Sequence, residues 1–182
     1  MTEKFESLFA ALEEKQRWIL AIEGGSAAGK TTLAKHLQEI YGATVFHMDD
    51  FFLQMHQRTA ERFAEPGGNV DRERFEAEVL ANLGGTVQYR KFDCAAMCLG
   101  EAITVQPGDF VVVEGAYSMH PNLAKYYDFS VFLDISPELQ EERILQRNPD
   151  SAQMFFDRWI PMENAYFEKT HAKDRCSMVI TI

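Results

Sequence analysis

Short apolar runs alternate along the chain with segments in which apolar residues recur at helical spacing. Apolar runs bounded by polar or turn residues predict buried strands at residues 17–22, 43–48, 109–115, 128–135 and 177–182. Strands that alternate with helices pair in parallel and need apolar cover on both faces. The pattern therefore predicts an α/β fold, with a parallel sheet flanked by helices on both faces.

Helical spacing appears in several segments, and residues with known preferences for helix ends bound two of them. Asp71 is placed as the N-cap of "DRERFEAEVLANL", which a Gly-Gly pair should stop, and Ser136 as the N-cap of "SPELQEERILQRN". The other helical segments are "EKFESLFAALEEKQ", "KTTLAKHLQEI" and residues 155–169. Residues 54–69 predict a loop, and "TVQYRKFD" with "EAITVQ" predicts a hairpin or small flap.

Composition is that of an ordinary soluble globular protein. The chain has 182 residues, 46% hydrophobic and 25% charged, without an internal repeat, linker or low-complexity segment. We therefore expect one domain over residues 1–182. No apolar run approaches the ~20 residues that span a bilayer. The start "MTEKFESLF" lacks a secretory pattern, so a cytoplasmic location without membrane attachment is expected.

Net charge and cysteine content argue against several functions. The formal net charge of -10 argues against broad binding to nucleic acids or anionic membranes, because both need a basic face. Cys94 and Cys98 are spaced C-x₃-C without a second pair to complete a zinc site, and Cys176 stands alone. Reduced thiols in the cytosol are the expected state of all three.

The stretch "AIEGGSAAGKTTLAKHL" contains the pattern of a phosphate-binding loop. Gly24, four further residues and Gly29-Lys30-Thr31 match G-x-x-x-x-G-K-[ST], between a predicted strand and a predicted helix. Glycine lets backbone N–H groups turn toward an anion at the helix N-terminus, where the helix dipole favours negative charge. Lys30 supplies a cation for the outer phosphates, and the Thr31 hydroxyl is placed to hold Mg²⁺. The predicted nucleotide-binding residues are Gly24, Gly25, Ser26, Ala27, Ala28, Gly29, Lys30, Thr31 and Thr32.

Carboxylates are expected near this loop, because ligands gather beyond the carboxyl ends of parallel strands. Asp49 and Asp50 follow the second predicted strand, and adjacent side chains cannot both point the same way. One would be a base or metal partner and the other a cap or structural anchor; a helix-initiating pair is the alternative. Glu114 ends an apolar strand placed beside the loop strand, which suits a Mg²⁺ carboxylate. A solvent-exposed strand end is the other interpretation of Glu114.

Arg143 and Arg147 are spaced i, i+4 on the helix that precedes an Asn-Pro stop, so they share a helix face. Two guanidinium groups on one face suit a phosphate clamp or a lid. Glu141 and Glu142 lie nearby, and this mixture of charges also fits an ordinary solvated face. Both interpretations of the two arginines stay open at this stage.

The ordered combination of motifs resembles the superfamily of uridine kinases, phosphoribulokinases and pantothenate kinases, including the nicotinamide riboside kinases. It comprises the phosphate-binding loop, "DDFF" after the second strand, "NVD" opening a helix, an aromatic flap and "EG" after a strand. The resemblance runs from about residue 17 to the C-terminus. It implies a P-loop NTPase fold with a small flap and a short lid.

The resemblance also implies roles for individual residues. Asp49 matches the aspartate that activates the acceptor hydroxyl, and Asp71 matches the acid that holds ribose hydroxyls in uridine kinases. Tyr89 falls where an aromatic lines the acceptor pocket, with Phe92 as a second flap aromatic. The predicted substrate-binding residues are thus Asp49, Asp71, Tyr89, Phe92 and Glu114; the predicted metal ligands are Thr31, Asp49 and Glu114; and the predicted catalytic residues are Lys30, Asp49, Arg143 and Arg147.

The expected function is ATP-dependent, Mg²⁺-assisted phosphoryl transfer to a hydroxyl of a nucleoside-like metabolite. Two departures from uridine kinases leave the acceptor open: no histidine follows the flap aromatic in "YRKFDCAAM", and the short lid ends in "RNPD". A GTPase would need N-K-x-D, and a transporter ATPase L-S-G-G-Q; the sequence contains neither. A regulatory nucleotide-binding module is the alternative function, and a homodimer is left open as the assembly.

Overall fold

Strands of the computed structural model, which describes residues 3–182, form one five-stranded sheet and one two-stranded hairpin. In chain order they are β1 (Trp18–Gly24), β2 (Thr44–His47), β3 (Val87–Asp93), β4 (Cys98–Val105), β5 (Phe110–Glu114), β6 (Phe129–Asp134) and β7 (Met178–Thr181). The five-stranded sheet is parallel, with the spatial order β2–β5–β1–β6–β7. The predicted parallel sheet is confirmed, and β1, which leads into the phosphate-binding loop, lies at its centre.

Helices cover both faces of this sheet, as the sequence predicted. In chain order they are α1 (Glu6–Glu13), α2 (Lys30–Tyr41), α3 (Ala60–Ala64), α4 (Arg72–Glu78), α5 (Pro137–Arg147), α6 (Ala152–Met154), α7 (Ile160–Thr170) and α8 (Ala172–Arg175). On one face, α1 and α2 bury their leucines in a core shared with β1 and β6. On the other, α4, α7 and α8 bury Phe75, Tyr166 and Ala172 in a core shared with β2 and β5.

The side chains of β5 explain why both faces need cover. Val112 belongs to the core on the side of α1 and α2, whereas Val111 and Val113 belong to the opposite core. Successive side chains of a strand point to opposite faces of its sheet. An apolar run of this kind is therefore stable only between two layers, and all three valines are at most 2% exposed.

Two predicted helix caps are present. The backbone N–H of Arg74 donates to Asp71 Oδ1 at 3.1 Å at the start of α4. The N–H of Leu139 donates to Ser136 Oγ at 3.3 Å at the start of α5. Each side chain satisfies one of the backbone donors that a helix start leaves without an internal partner.

The structure departs from the sequence prediction in the segment before β3. Residues 54–69, predicted as a loop, contain a 3₁₀ turn and the short helix α3. The helix predicted to run to residue 83 ends at Glu78 and continues as a 3₁₀ turn, Leu80–Asn82. The Asn82 side chain donates to the carbonyls of Ala77 at 2.7 Å and Glu78 at 3.1 Å, so it ends the helix before the glycine pair is reached.

The predicted hairpin is formed by β3 and β4, which pair in antiparallel fashion with a register shift between Arg90 and Phe92. It packs against a 3₁₀ turn, Met48–Phe51, that follows β2. Tyr89 of β3 places its ring centroid 5.6 Å from that of Phe51. In the described part of the chain, no helix is both long and apolar enough to cross a bilayer.

Candidate active site

The phosphate-binding loop joins the end of β1 to the start of α2, as its sequence pattern predicted. Its backbone has positive φ angles at Gly24 (141°), Ala27 (61°) and Gly29 (98°). A Cβ on Gly24 would lie 2.6 Å from the carbonyl oxygen of Leu133 in β6, so this glycine is required by a close backbone contact as well. The loop therefore opens onto the N-terminus of α2, where backbone N–H groups favour an anion.

Lys30 is the first residue of α2, and its side chain folds back across the loop. The ammonium Nζ donates to the carbonyls of Gly24 and Gly25, each at 2.8 Å. Both contacts are with the beginning of the loop, so the cation lies inside the phosphate-binding turn. Its positive charge also favours the charged forms of the surrounding carboxyl groups: it helps to lower the pKa of Glu114 and opposes the increase in the pKa values of Asp49 and Glu163.

A cavity of about 500 Å³ lies against the loop and collects most of the residues that the sequence singled out. Loop and α2 residues 26–33 form one wall of the cavity. The charged residues of the other walls include three carboxylates and two arginines: Asp49, Glu114, Glu163, Arg143 and Arg147. Strands β1, β2 and β5 end on this side of the sheet, which explains why residues far apart in sequence meet here.

Asp49 and Asp50 lie in the 3₁₀ turn that follows β2, and they take different positions. Asp49 lines the cavity. Protein packed around its carboxylate raises the pKa of Asp49, although solvent reaches it from the cavity, while the charge of Lys30 opposes the increase. Asp50 Oδ2 lies 3.0 Å from Lys91 Nζ on the flap. The assignment of base and anchor to the two residues stays a prediction.

Glu114 ends β5 and accepts two hydrogen bonds across the strand ends. Its Oε1 lies 3.0 Å from the Thr31 hydroxyl and 2.6 Å from His47 Nδ1. Burial acts to raise the pKa of Glu114, but the His47 hydrogen bond and the nearby Lys30 outweigh it, and the pKa is lowered. Hydrogen bonding to Glu114 raises the pKa of His47 in turn. Glu114 is thus held in its charged form next to Thr31.

His47 did not stand out in the sequence analysis. It is the last residue of β2, and the parallel register pairs it with Glu114 on β5. In the sequence His47 is only a histidine shortly before two aspartates, because its hydrogen-bond partner, Glu114, is 67 residues away. Only the strand order β2–β5 brings the two side chains together.

Glu163 on α7 is a further residue that the sequence analysis missed. It is 5% exposed, and its carboxylate accepts from the backbone N–H of Ser26 at 2.8 Å and from the Ser26 hydroxyl at 2.6 Å. Burial raises the pKa of Glu163, and Lys30 and the Ser26 donors oppose the increase. In the sequence, Glu163 is one of several acids in an amphipathic helix, so nothing distinguished it there.

Glu23, the residue before the loop, is completely buried and has four hydrogen-bond donors around it. Oε1 accepts from the N–H groups of Gly24 at 2.9 Å and Tyr117 at 3.1 Å. Oε2 accepts from the N–H of Met119 at 2.9 Å and the hydroxyl of Tyr166 at 3.0 Å. Burial raises the pKa of Glu23 to about 7, although these donors and Lys30 act to lower it.

The two arginines of α5 both line the cavity, but their contacts differ. Arg143 Nη1 donates to the carbonyl of Ala27 at 3.0 Å, so this guanidinium touches the phosphate-binding loop. Arg147 Nε donates to Asn148 Oδ1 at 2.7 Å, beyond the end of its own helix. The face they share is therefore directed at the cavity, as a clamp or lid requires, and their catalytic role stays a prediction.

Three of the five residues predicted to bind the substrate, Asp71, Tyr89 and Phe92, lie apart from the cavity wall, whereas Asp49 and Glu114 line it. Asp71 is 2% exposed; besides capping α4, it lies 3.4 Å from Arg74 Nε through Oδ2. Tyr89 is 7% exposed and packs on Phe51, and Phe92 is 5% exposed, with the Arg58 guanidinium 5.4 Å from its ring centroid. In this structure the flap aromatics belong to the core, and their contact with an acceptor stays a prediction.

Thr31, Asp49 and Glu114 are the predicted metal ligands, and their donor atoms fit Mg²⁺. All three side chains line the same cavity and offer only oxygen atoms, which this hard cation prefers. Among residues 3–182, histidine, cysteine and acidic side chains do not form a group of three or more that would hold a metal by themselves. Phosphate oxygens would therefore have to supply part of the coordination shell, as they do in many Mg²⁺ sites.

The parallel sheet, the loop on its central strand and the charged cavity beside it define a P-loop nucleotide-binding protein. A sequence profile described as the Phosphoribulokinase / Uridine kinase family matches residues 19–153, and the chain belongs to this family of kinases. The membership confirms the family expected from the motif order.

Two curated relatives are each 28% identical to this chain. The alignment with a pantothenate kinase of Enterococcus faecalis spans 155 residues, covering 71% of this chain and 49% of the relative. The alignment with a uridine kinase of Chlamydia pneumoniae spans 172 residues, covering 83% of this chain and 74% of the relative. The chain thus spans about half the length of one relative and about three quarters of the other.

A solved structure, a possible uridine kinase from Bacillus stearothermophilus, has a similar fold. The TM-score is 0.72 at 21% sequence identity, covering 98% of this chain and 97% of that chain. At this identity the similarity concerns the fold, and it agrees with the layer arrangement described above.

The raised pKa of the buried Glu23 carboxyl group can be tested through the pH dependence of the protein's stability. Its pKa is about 7 in the folded protein, against 4.5 for an ordinary glutamate. Between these values the folded state binds more protons than the unfolded state, so stability falls as the pH rises, by up to about 3 kcal/mol in total. Chemical unfolding measures the free energy of unfolding of both proteins. The value for wild type minus the value for Glu23→Gln should therefore be smaller at pH 8 than at pH 5, because only wild type loses stability as Glu23 ionises.

Glu168→Gln is the matched control, because Glu168 is exposed on α7. Its stability difference from wild type should not change between the two pH values. A Glu23→Gln difference that is equally independent of pH would contradict the raised pKa.

Proposed function

We propose that this kinase transfers the γ-phosphoryl group of ATP to a hydroxyl of a neutral, nucleoside-like metabolite, within one domain over residues 1–182. The observation that carries the proposal is that Asp49, Glu114 and the phosphate-binding loop with Lys30 all line the same cavity. This combination supports the proposal, because it would supply neighbouring groups for phosphate, a divalent cation and a proton. Family membership supports phosphoryl transfer in general, and the residues of the cavity support the more specific assignment.

The proposed reaction displaces ADP by the acceptor oxygen. The acceptor O–H bond breaks, an O–P bond forms to the γ-phosphorus, and the bond from that phosphorus to the bridging oxygen breaks. Asp49 takes the released proton, and its raised pKa makes this carboxylate a stronger proton acceptor than an ordinary aspartate. Lys30 and free N–H groups of the loop stabilise the phosphates, while Arg143 and Arg147 neutralise charge on the transferred group.

Mg²⁺ would be held by the Thr31 hydroxyl together with Asp49 and Glu114, directly or through water. When bound, this ion would neutralise charge on the phosphate oxygens. The lowered pKa of Glu114 keeps its carboxylate charged for this purpose. The hydrogen bond from Thr31 to Glu114 already brings two of the three side chains together.

The charge of the cavity supports a neutral acceptor. Asp49, Glu114 and Glu163 all line it, and its cations belong to the N-terminal 3₁₀ turn (Lys4), to the start of α2 and to α5; the ATP phosphates would use those nearest the loop. An acceptor that carries phosphate or carboxylate would bring another negative charge next to these groups and the ATP phosphates. A neutral polyhydroxyl compound avoids that repulsion and offers hydroxyl donors to carboxylate oxygens.

A screen of acceptors tests the proposed function. We expect ATP consumption to rise sharply with a neutral riboside and to respond much less to pantothenate or sugar phosphates. Lys30→Ala should abolish the stimulated rate while leaving the fold intact, because Lys30 lies at the start of α2 and its ammonium contacts only carbonyls of the phosphate-binding loop. A rate that no acceptor stimulates, with ATP still bound, would instead indicate the regulatory nucleotide-binding module.

The two adjacent aspartates provide matched variants for the base assignment. Asp49→Asn should lower kcat at least about a hundredfold, because general-base assistance is typically worth 10²–10⁴-fold. Asp50→Asn should cost much less, since it removes only a partly exposed ion pair with Lys91. Steady-state kinetics at saturating ATP measure both values, and the reverse ranking would refute the assignment.

The Asp71 prediction can be tested with a ribosyl acceptor and its deoxyribosyl counterpart. If the Asp71 carboxylate also binds the diol, wild type should prefer the ribosyl compound, and Asp71→Asn should reduce this preference. The same change should leave the helix cap in place, because asparagine is as good an N-cap as aspartate, and any loss of stability should come from the ion pair with Arg74. Thr59→Ala removes another N-cap, at α3, and is the control for capping alone. An Asp71→Asn variant that keeps the full ribosyl preference would leave Asp71 with a structural role only.

A further inference from the structure

The turn at Ser26 and Ala27, which we call the loop apex, is fastened by side chains from outside the loop. All polar groups of Ser26 are engaged: its N–H and hydroxyl donate to Glu163, and its carbonyl accepts from Gln140 Nε2 at 2.9 Å. The next carbonyl, that of Ala27, accepts from Arg143 Nη1 at 3.0 Å. Two helices, α5 and α7, therefore hold the apex from both sides.

Ala27 explains why such fastening is needed. Its φ of 61° lies in the left-handed region, which disfavours a residue that carries a Cβ. The apex would relax toward an ordinary conformation unless its surroundings held it. The contacts to Ser26 and to the Ala27 carbonyl lie on either side of the strained residue, so they act directly on its conformation.

Gly25 provides an independent sign of the same arrangement. The motif G-x-x-x-x-G-K does not require glycine at this position. A Cβ on Gly25 would lie 2.9 Å from Gln140 Nε2 and 3.6 Å from Glu163 Oε2. The second glycine thus leaves room for the two side chains that fasten the apex.

Glu163 is also anchored through its own helix. Tyr166, one turn further along α7, donates to the buried Glu23 carboxylate directly before the loop. The helix therefore contacts both the residue that leads into the loop and the apex within it. A carboxylate beside a phosphate site is electrostatically unfavourable unless it has donors, and Ser26 supplies two of them.

We propose that Glu163 is a positioning residue that holds the strained loop apex in the conformation that receives the nucleotide phosphates. Glu163 acts through Ser26 and does not touch the nucleotide. It follows that the N–H of Ser26 serves the loop conformation, as do those of Gly24 and Ala28, which donate to Glu23 and to the Gly25 carbonyl; the phosphates are bound by the remaining loop N–H groups. The inference concerns nucleotide binding alone, so its failure and the failure of the proposed acceptor chemistry are distinguishable.

Titration calorimetry of the full chain with Mg²⁺ and ADP, without any acceptor, tests the proposal. Glu163→Gln replaces one accepting oxygen by a donor, and we expect it to weaken ADP binding about tenfold, the loss typical of one charge-assisted hydrogen bond. Ser26→Ala should weaken binding by a similar factor, and the double variant should be little worse than either alone. Glu168→Gln, exposed on the same helix, is the control and should bind like wild type.

A rescue experiment separates conformational positioning from general stability. Glycine adopts positive φ without strain, so in an Ala27→Gly background the effect of Glu163→Gln should shrink to about threefold or less. The same tenfold loss in both backgrounds, or ADP binding unchanged by Glu163→Gln while only Tm falls, would overturn the proposal. If Glu163→Gln does not fold, ADP binding by Ser26→Ala is measured with and without Ala27→Gly instead. The same reduction of the loss is expected in the Ala27→Gly background, and an equal loss in both backgrounds would overturn the proposal.

Discussion

The hydrogen bonding of the buried Glu23 carboxylate is the interaction on which the site geometry depends. A buried carboxylate without partners is strongly unfavourable, whereas four donors satisfy it. These donors come from the start of the loop, from the turn after β5 and from α7. Because Glu114 ends β5 just before that turn, the same group also fixes Glu114 relative to the phosphate-binding loop. A shift of any one segment would leave a donor or an acceptor unpaired in the core.

The charges of the cavity form a second level of organisation. Three carboxylate side chains share the cavity with two lysines and two arginines, and their environments move the carboxyl pKa values in different directions. The pKa of Glu114 is lowered, because His47 and Lys30 outweigh its burial. The pKa values of Glu163, which is buried, and of Asp49, which is surrounded by protein but open to the cavity, are raised in spite of the same lysine. These different environments support the different roles that we propose for them, a charged metal ligand for Glu114 and a proton acceptor for Asp49.

Features that depend on neighbouring residues were predictable from the sequence. The phosphate-binding loop, the parallel strands and the caps at Asp71 and Ser136 depend on local spacing and backbone preference. Two predictions were wrong for a related reason: the end of one helix, α4, and the absence of another, α3. The end of α4 is set by the Asn82 side chain, which competed with a glycine pair that looks equally suitable in the sequence. The short helix α3 was hidden in a polar segment without apolar periodicity.

The sequence by itself determined that this chain has a parallel sheet with a phosphate-binding loop, because periodicity and glycine spacing are local properties of the backbone. The tertiary structure alone decided which carboxylates meet at the loop. His47 joins Glu114 through strand order, and Glu163 reaches Ser26 across 137 residues of sequence. It also decided that Tyr89 and Phe92 pack inward, since an aromatic on an alternating strand can face either side. Contacts of this kind depend on how distant segments fold onto one sheet, and no local pattern encodes them.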